Sequence, residues 1–218
     1  MKRIKSIFAL TLALLLILSL AACGGNTKTA ETTAANTNEK SAVQATEKQA
    51  AGSGTGETTS GTSKVLVAYF SATGTTKGVA EKITSLENAD LYEIVPAQPY
   101  SYDDLNWHDS NSRSTIEQND KTIRPEIGSD KVDLSAYDTI YLGFPIWWGE
   151  EPRIMDTFVE SYDFTGKTVI PFCTSGGSGI GSSGDNLKSN AGSGNWKSGD
   201  RLDAGISDTE LQSWLDSK

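Results

Sequence analysis

Three stretches of this chain are apolar almost without interruption: Val65–Phe70, Thr139–Ile146 and Thr168–Cys173. A strand with one wet face alternates apolar and polar residues, whereas a continuous run fits a strand covered on both faces. The pattern therefore points to a parallel sheet sandwiched between helices. Leu91–Val95 is a shorter strand candidate, and Asp200–Ala204 is polar enough for an edge. Helical patterns fill the gaps. A helix is expected from Lys77, with Val79, Ala80, Ile83 and Leu86 on one apolar face. Pro152 suits the first position of a second helix, ahead of Ile154, Met155, Phe158 and Val159. Ser207 to Glu210 spells a capping box ahead of Leu211, Trp214 and Leu215. The expectation is an α/β fold with a doubly wound, five-stranded parallel sheet flanked by helices. Gln98–Asp133 is long for a connection, and Asp103–Asn119 within it is a helix candidate. The Gly-rich stretch Ser175–Gly199 reads as a binding loop, a helix near Asp185–Asn190 and a polar turn.

The first 63 residues are of another kind. Lys2, Arg3 and Lys5 precede an apolar run from Ile7 to Leu20, which is short for a membrane span and ends in small residues. Residues 1–22 read as a signal peptide. The Leu20-Ala21-Ala22-Cys23 end resembles the lipobox of bacterial lipoproteins, which implies lipidation of Cys23 and an extracytoplasmic, membrane-anchored protein. Residues 23–63 are rich in Thr, Ala, Gly, Asn and Glu. Such a composition buries too little apolar surface to offset the entropy of ordering, so this segment reads as a disordered tether. With two cysteines in all, lipidation of Cys23 leaves Cys173 without a disulfide partner. Cys173 ends an apolar run and reads as a small buried hydrophobe, with a thiol near a ligand as the alternative.

Residues 64–218 form the folded domain and hold all five tryptophans. They carry 13 Lys and Arg against 24 Asp and Glu, a net charge of −11. That balance argues against nucleic acid and against docking on anionic headgroups, so contact with the membrane is expected through the lipid anchor alone.

Ligands of open α/β sheets bind outside the carboxyl ends of the strands. Three loops leave such ends. The first is Ser71-Ala72-Thr73-Gly74-Thr75-Thr76, where hydroxyls, a flexible glycine and the N–H groups of a following helix suit a phosphate without a basic side chain. The second is Pro145-Ile146-Trp147-Trp148-Gly149, which offers indole faces for stacking. Neighbouring residues of an extended chain point to opposite sides, so one of the two indoles is expected to face the ligand. The third is Thr174-Ser175-Gly176-Gly177-Ser178-Gly179, where glycines let main-chain N–H groups approach ring heteroatoms. A flat aromatic ligand with a phosphate fits all three loops.

On these residues the chain resembles the flavodoxins. Ser71, Thr73, Gly74 and Thr76 match the family's FMN-phosphate motif, Thr/Ser-x-Thr-Gly-x-Thr, and the other two loops stand where flavodoxins grip the isoalloxazine ring. The resemblance implies the strand order 2-1-3-4-5, FMN as cofactor, and contacts to it from all three loops. It also implies that a peptide flip at Gly149 would accept a hydrogen bond from protonated flavin N5 and so favour one-electron transfer. The chain departs from the pattern in its long excursion 97–134, and in a third loop with no aromatic residue, where Trp107 or Trp196 would complete the cover. The expected function is an electron-transfer flavoprotein serving a redox partner protein or a small quinone-like acceptor. The alternatives are an NAD(P)H-dependent FMN quinone reductase and a non-enzymatic binding module.

Competing motifs carry less. Gly179-Ile180-Gly181-Ser182-Ser183-Gly184 has the dinucleotide-binding spacing, with Asp203 downstream, but it starts several residues after its strand and late in the chain. The single histidine, His108, sits in a polar segment and reads as a surface residue. One histidine and one free cysteine do not make a typical zinc site, and no metal is expected.

Overall fold

The structure, a computed structural model, describes residues 64–218. The expected signal peptide, the expected lipidation at Cys23 and the expected tether lie outside the described residues. Six strands form the sheet: β1 (Val65–Tyr69), β2 (Asp90–Glu93), β3 (Thr139–Pro145), β4 (Thr168–Thr174), β5 (Asn195–Trp196) and β6 (Asp200–Arg201). All pairings are parallel, in the order β2-β1-β3-β4-β5, with β6 also paired to β4. The helices are α1 (Thr75–Glu87), α2 (Arg113–Asn119), α3 (Arg153–Glu160), α4 (Ser183–Ala191) and α5 (Asp208–Leu215).

The three continuous apolar runs are the three central strands, and their alternate residues feed two cores. Leu66, Ala68, Ile140, Leu142, Phe144 and Val169 pack with Ile154, Phe158 and Leu187 of α3 and α4. Val67, Tyr69, Tyr141, Ile170 and Phe172 pack with Val79, Ile83, Leu211 and Leu215 of α1 and α5. Gly143 lies opposite Phe172 in the ladder, and a Cβ there would stand 2.3 Å from the Phe172 ring. The missing side chain thus makes room for a neighbouring one.

The fifth sheet position differs from the single strand expected at Asp200–Ala204. It is built from two short pieces, β5 and β6, and the reason is Pro171. The carbonyls of Lys167, Val169 and Cys173 accept hydrogen bonds from Asn195, Lys197 and Leu202 at 2.8, 2.9 and 2.8 Å. Backbone polar groups in a strand alternate sides, so Pro171 faces this same edge and has no N–H to offer. The edge chain loses its ladder there. It passes through Gly199, where a Cβ would lie 2.6 Å from the Pro171 carbonyl oxygen.

Other boundaries shift for local reasons. The first helix begins at Thr75, with Gly74 as its N-cap at φ 87°. Pro152 is the N-cap of α3, one position before the one expected. The capping box of Ser207 and Glu210 forms, the serine hydroxyl accepting from the Glu210 N–H. Of the helix candidate 103–119 only α2 is helical, and the residues before it form turns. The excursion folds back beside β2, where Ala97 donates to Glu126 and Gly128 to Val95, at 2.8 and 2.7 Å.

Candidate functional site

Loops leaving β1 and β3 open into one cavity of about 350 Å³, within the range of cofactor sites. Ser71, Ala72, Thr73 and Thr76 line it from the first loop, and Pro145, Ile146, Trp147 and Trp148 from the second. The third wall is the excursion, through Leu105, Trp107 and Ser114.

At the first loop, α1 starts without any side-chain cap. Its hydroxyls are therefore not spent on the helix end, and the first-turn N–H groups keep the positive end of the helix dipole uncovered. Gly74 supplies the left-handed turn, and the space beside its Cα is open. Thr73 and Thr75 hydroxyls stand 3.4 Å apart. The buried Thr76 hydroxyl pairs with that of Thr174 at 2.9 Å. That bond ties the first turn of α1 to the carboxyl end of β4 beneath the loop. Lys77 is turned to Glu93, 3.8 Å away. An anion here would be held by hydroxyls and backbone N–H groups.

The second loop makes a tight turn in which Trp147 and Glu150 exchange backbone hydrogen bonds of 2.9 and 3.0 Å. Trp148 and Gly149 both have positive φ, 50° and 84°. This is the signature of a type I′ turn. A tryptophan in that region is unusual and carries backbone strain of about 1–2 kcal/mol. The turn also corrects the expectation that one indole alone faces the site. The chain there is not extended, and both Trp147 and Trp148 line the cavity. Their settings differ. Trp147 is held edge-on between Phe70 and Tyr100, ring centroids 5.6 and 5.2 Å away, whereas Trp148 is 46 % exposed.

Behind the turn lies a buried polar network. Gln118 of α2 donates to the carbonyls of Trp147 and Glu151 at 2.8 and 3.2 Å. Arg153, 3 % exposed, faces Glu150 at 2.6 Å, Asp156 at 3.3 Å and Glu151 at 3.6 Å. Burial raises the carboxyls of Glu151 and Asp156 above the usual range. Hydrogen bonds from Lys121 and Arg153 lower that of Glu150. A second polar cluster stands beside it: the Tyr100 hydroxyl donates to Glu117 at 2.6 Å, and the Tyr100 ring lies 4.0 Å from the Arg113 guanidinium.

Of the third loop, Thr174 is buried under the first loop, while Ser175–Gly179 do not line the cavity. That loop is folded on itself, with the Ser175 hydroxyl donating to the Ser178 carbonyl and accepting from the Gly177 N–H. Gly74, Thr75 and Gly149 shape the turns beside the cavity without lining it. Trp107 belongs to the wall. Trp196 does not: its ring NH donates to the Ser193 carbonyl at 2.8 Å. Cys173 is fully buried, and burial pushes its thiol up to about 12. It is a core residue rather than a reactive group at the ligand. Sequence patterning missed Leu105 and Ser114, because neither belongs to a strand-end loop.

A cavity lined by the hydroxyls of the first loop and by two indoles fits a flat aromatic ligand carrying a phosphate. The relatives agree. A structure of a protein assigned as a flavoprotein from Bacteroides eggerthii DSM 20697 is 49 % identical, with a TM-score of 0.68, covering 72 % of this chain and 98 % of that one. A second, from Bacteroides uniformis ATCC 8492, is 48 % identical with a TM-score of 0.68, covering 71 % of this chain and 98 % of its own. A flavoprotein from Lactobacillus acidophilus NCFM, solved in complex with FMN, is 28 % identical with a TM-score of 0.53, covering 71 % of this chain and 99 % of that one. No match is found among curated proteins. The family profile described as Flavodoxin matches residues 64–218, and the chain belongs to the flavodoxin family.

Proposed function

We propose that this protein binds FMN and carries electrons outside the membrane, tethered by lipid on Cys23. The observation that carries the FMN reading is one cavity lined both by the loop at the uncapped start of α1 and by two indoles. FMN supplies the redox chemistry, accepting and releasing electrons in one- or two-electron steps. The protein's own groups bind and orient. The hydroxyls of Ser71, Thr73, Thr75 and Thr76 and the first N–H groups of α1 would take the phosphate. Trp147 and Trp148 would take the ring. The half-exposed Trp148 leaves the ring end of the cavity open to a redox partner protein or a quinone-like acceptor. A domain charge of −11 opposes adding negative charge to the cofactor and favours low potentials.

The test is a titration of the purified protein with FMN, followed by spectroelectrochemistry and an NAD(P)H–quinone assay. Saturable binding with two separated one-electron potentials and no NAD(P)H turnover is the expected result. A single two-electron wave with NAD(P)H oxidation would replace the carrier with a quinone reductase. No FMN binding would leave an interaction module. For the anchor, metabolic labelling with a fatty acid is expected to tag the wild-type chain and not a Cys23→Ser chain, and a wild-type chain that takes up no label would refute lipid attachment.

A further inference from the structure

Helix α2 has its polarity inside out. Ser114, Thr115, Glu117 and Gln118 are buried, while its one large apolar residue, Ile116, is 49 % exposed. A helix that merely packs on a core buries its apolar side. Buried polar groups are costly unless hydrogen-bonded, so each partner on this face matters. The Thr115 N–H is taken by the Ser112 hydroxyl, which itself donates to the Thr115 hydroxyl at 2.8 Å. Glu117 accepts from Tyr100 and Arg113, and Gln118 donates to two carbonyls of the indole turn. Two buried polar atoms of this helix, Gln118 Oε1 and the Ser114 hydroxyl oxygen, have no hydrogen-bond partner among the described residues, and of these two residues only Ser114 lines the cavity. Ser114 is 1 % exposed and stands in the cavity wall with Trp107 and the indole turn. Its backbone N–H, donating to the Asp104 carbonyl at 3.0 Å, holds it there.

We infer that the Ser114 hydroxyl hydrogen-bonds directly to the flavin part of the cofactor, making α2 a recognition element contributed by the excursion. The inference rests on the FMN reading above. A hydroxyl that finds its partner only in the complex adds to binding without adding to the stability of the free protein.

The experiment compares the full chain with its Ser114→Ala and Ser114→Cys variants. FMN and riboflavin dissociation constants come from flavin fluorescence, and thermal midpoints are measured without ligand. Ser114→Ala is expected to weaken FMN and riboflavin by the same factor, about ten-fold. The ligand-free midpoint is expected to stay level or rise. Ser114→Cys, a weaker donor of similar size, is expected to fall between. Unchanged affinity would overturn the inference, as would a loss for FMN but not riboflavin, which would put the contact on the phosphate. A lower ligand-free midpoint would also overturn it, by giving Ser114 a structural role. Wild-type protein that binds neither flavin would refute the FMN reading itself, and the inference with it.

Discussion

Replacing Arg153 by methionine tests the buried network behind the indole turn. Methionine roughly preserves the length of the side chain and deletes its charge. In the native protein the guanidinium lies 2.6, 3.3 and 3.6 Å from three carboxylates, two of them on residues that are 1 % exposed. At an effective dielectric near 20, each contact supplies roughly 5 kcal/mol of gross attraction, most of which offsets desolvation. What the variant loses is compensation for charges that stay buried, about 3–5 kcal/mol. With a urea slope of about 2 kcal/mol per molar, the unfolding midpoint should fall by about 2 M. The loss should depend on pH. The carboxyls of Glu151 and Asp156 are already raised in the folded protein. Each thus contributes stability that is present at low pH and lost as pH rises through its folded-state value. Removing the cation raises both further, so the gap between variant and wild type should widen from about pH 5 to about pH 8. A second change, Asp156→Asn, should restore part of the loss at the higher pH. Urea unfolding followed by tryptophan fluorescence at both pH values reads all of this. Equal losses at the two pH values, or a loss under about 1 kcal/mol, would refute the argument that these charges are buried and mutually dependent.

Three further outcomes follow from packing and capping. Gly143→Ala drives a methyl group into the Phe172 ring across the ladder and should destabilise by about 1–3 kcal/mol in denaturant unfolding; a neutral result would mean the strands can part at no cost. Ser207→Ala removes the α5 capping box and should cost about 1 kcal/mol, with FMN affinity unchanged because the cap is remote from the cavity. In a Cys23→Ser background the Cys173 thiol should resist thiol reagents at neutral pH until the protein is unfolded, since it is buried and raised to about 12. Rapid native labelling would show that this core opens locally.

The fold was largely legible in the sequence because its signals are local. Continuous apolar runs, a 3.6-residue periodicity, a capping box and a Ser-x-Thr-Gly-x-Thr loop each act over a few residues, and the structure of 64–218 preserves them. The first two site loops were legible for the same reason, being strand ends with distinctive composition. What came only with tertiary structure depends on residues distant in the chain. Pro171 interrupts an edge strand that begins more than twenty residues later, because it withholds an N–H that only that neighbour would use. The left-handed turn at Trp148 brings both indoles to the cavity, against the alternation of an extended chain. Helix α2 exposes its isoleucine and buries its polar residues, and no hydrophobic pattern announces such a helix. Its stability comes from partners at Tyr100, Trp147 and Glu151. The sequence alone therefore determined the parallel sheet and the two strand-end loops that line the cavity. Tertiary structure decided the third wall of the cavity, because buried polar groups are positioned by partners, and sequence order does not say which partners will meet.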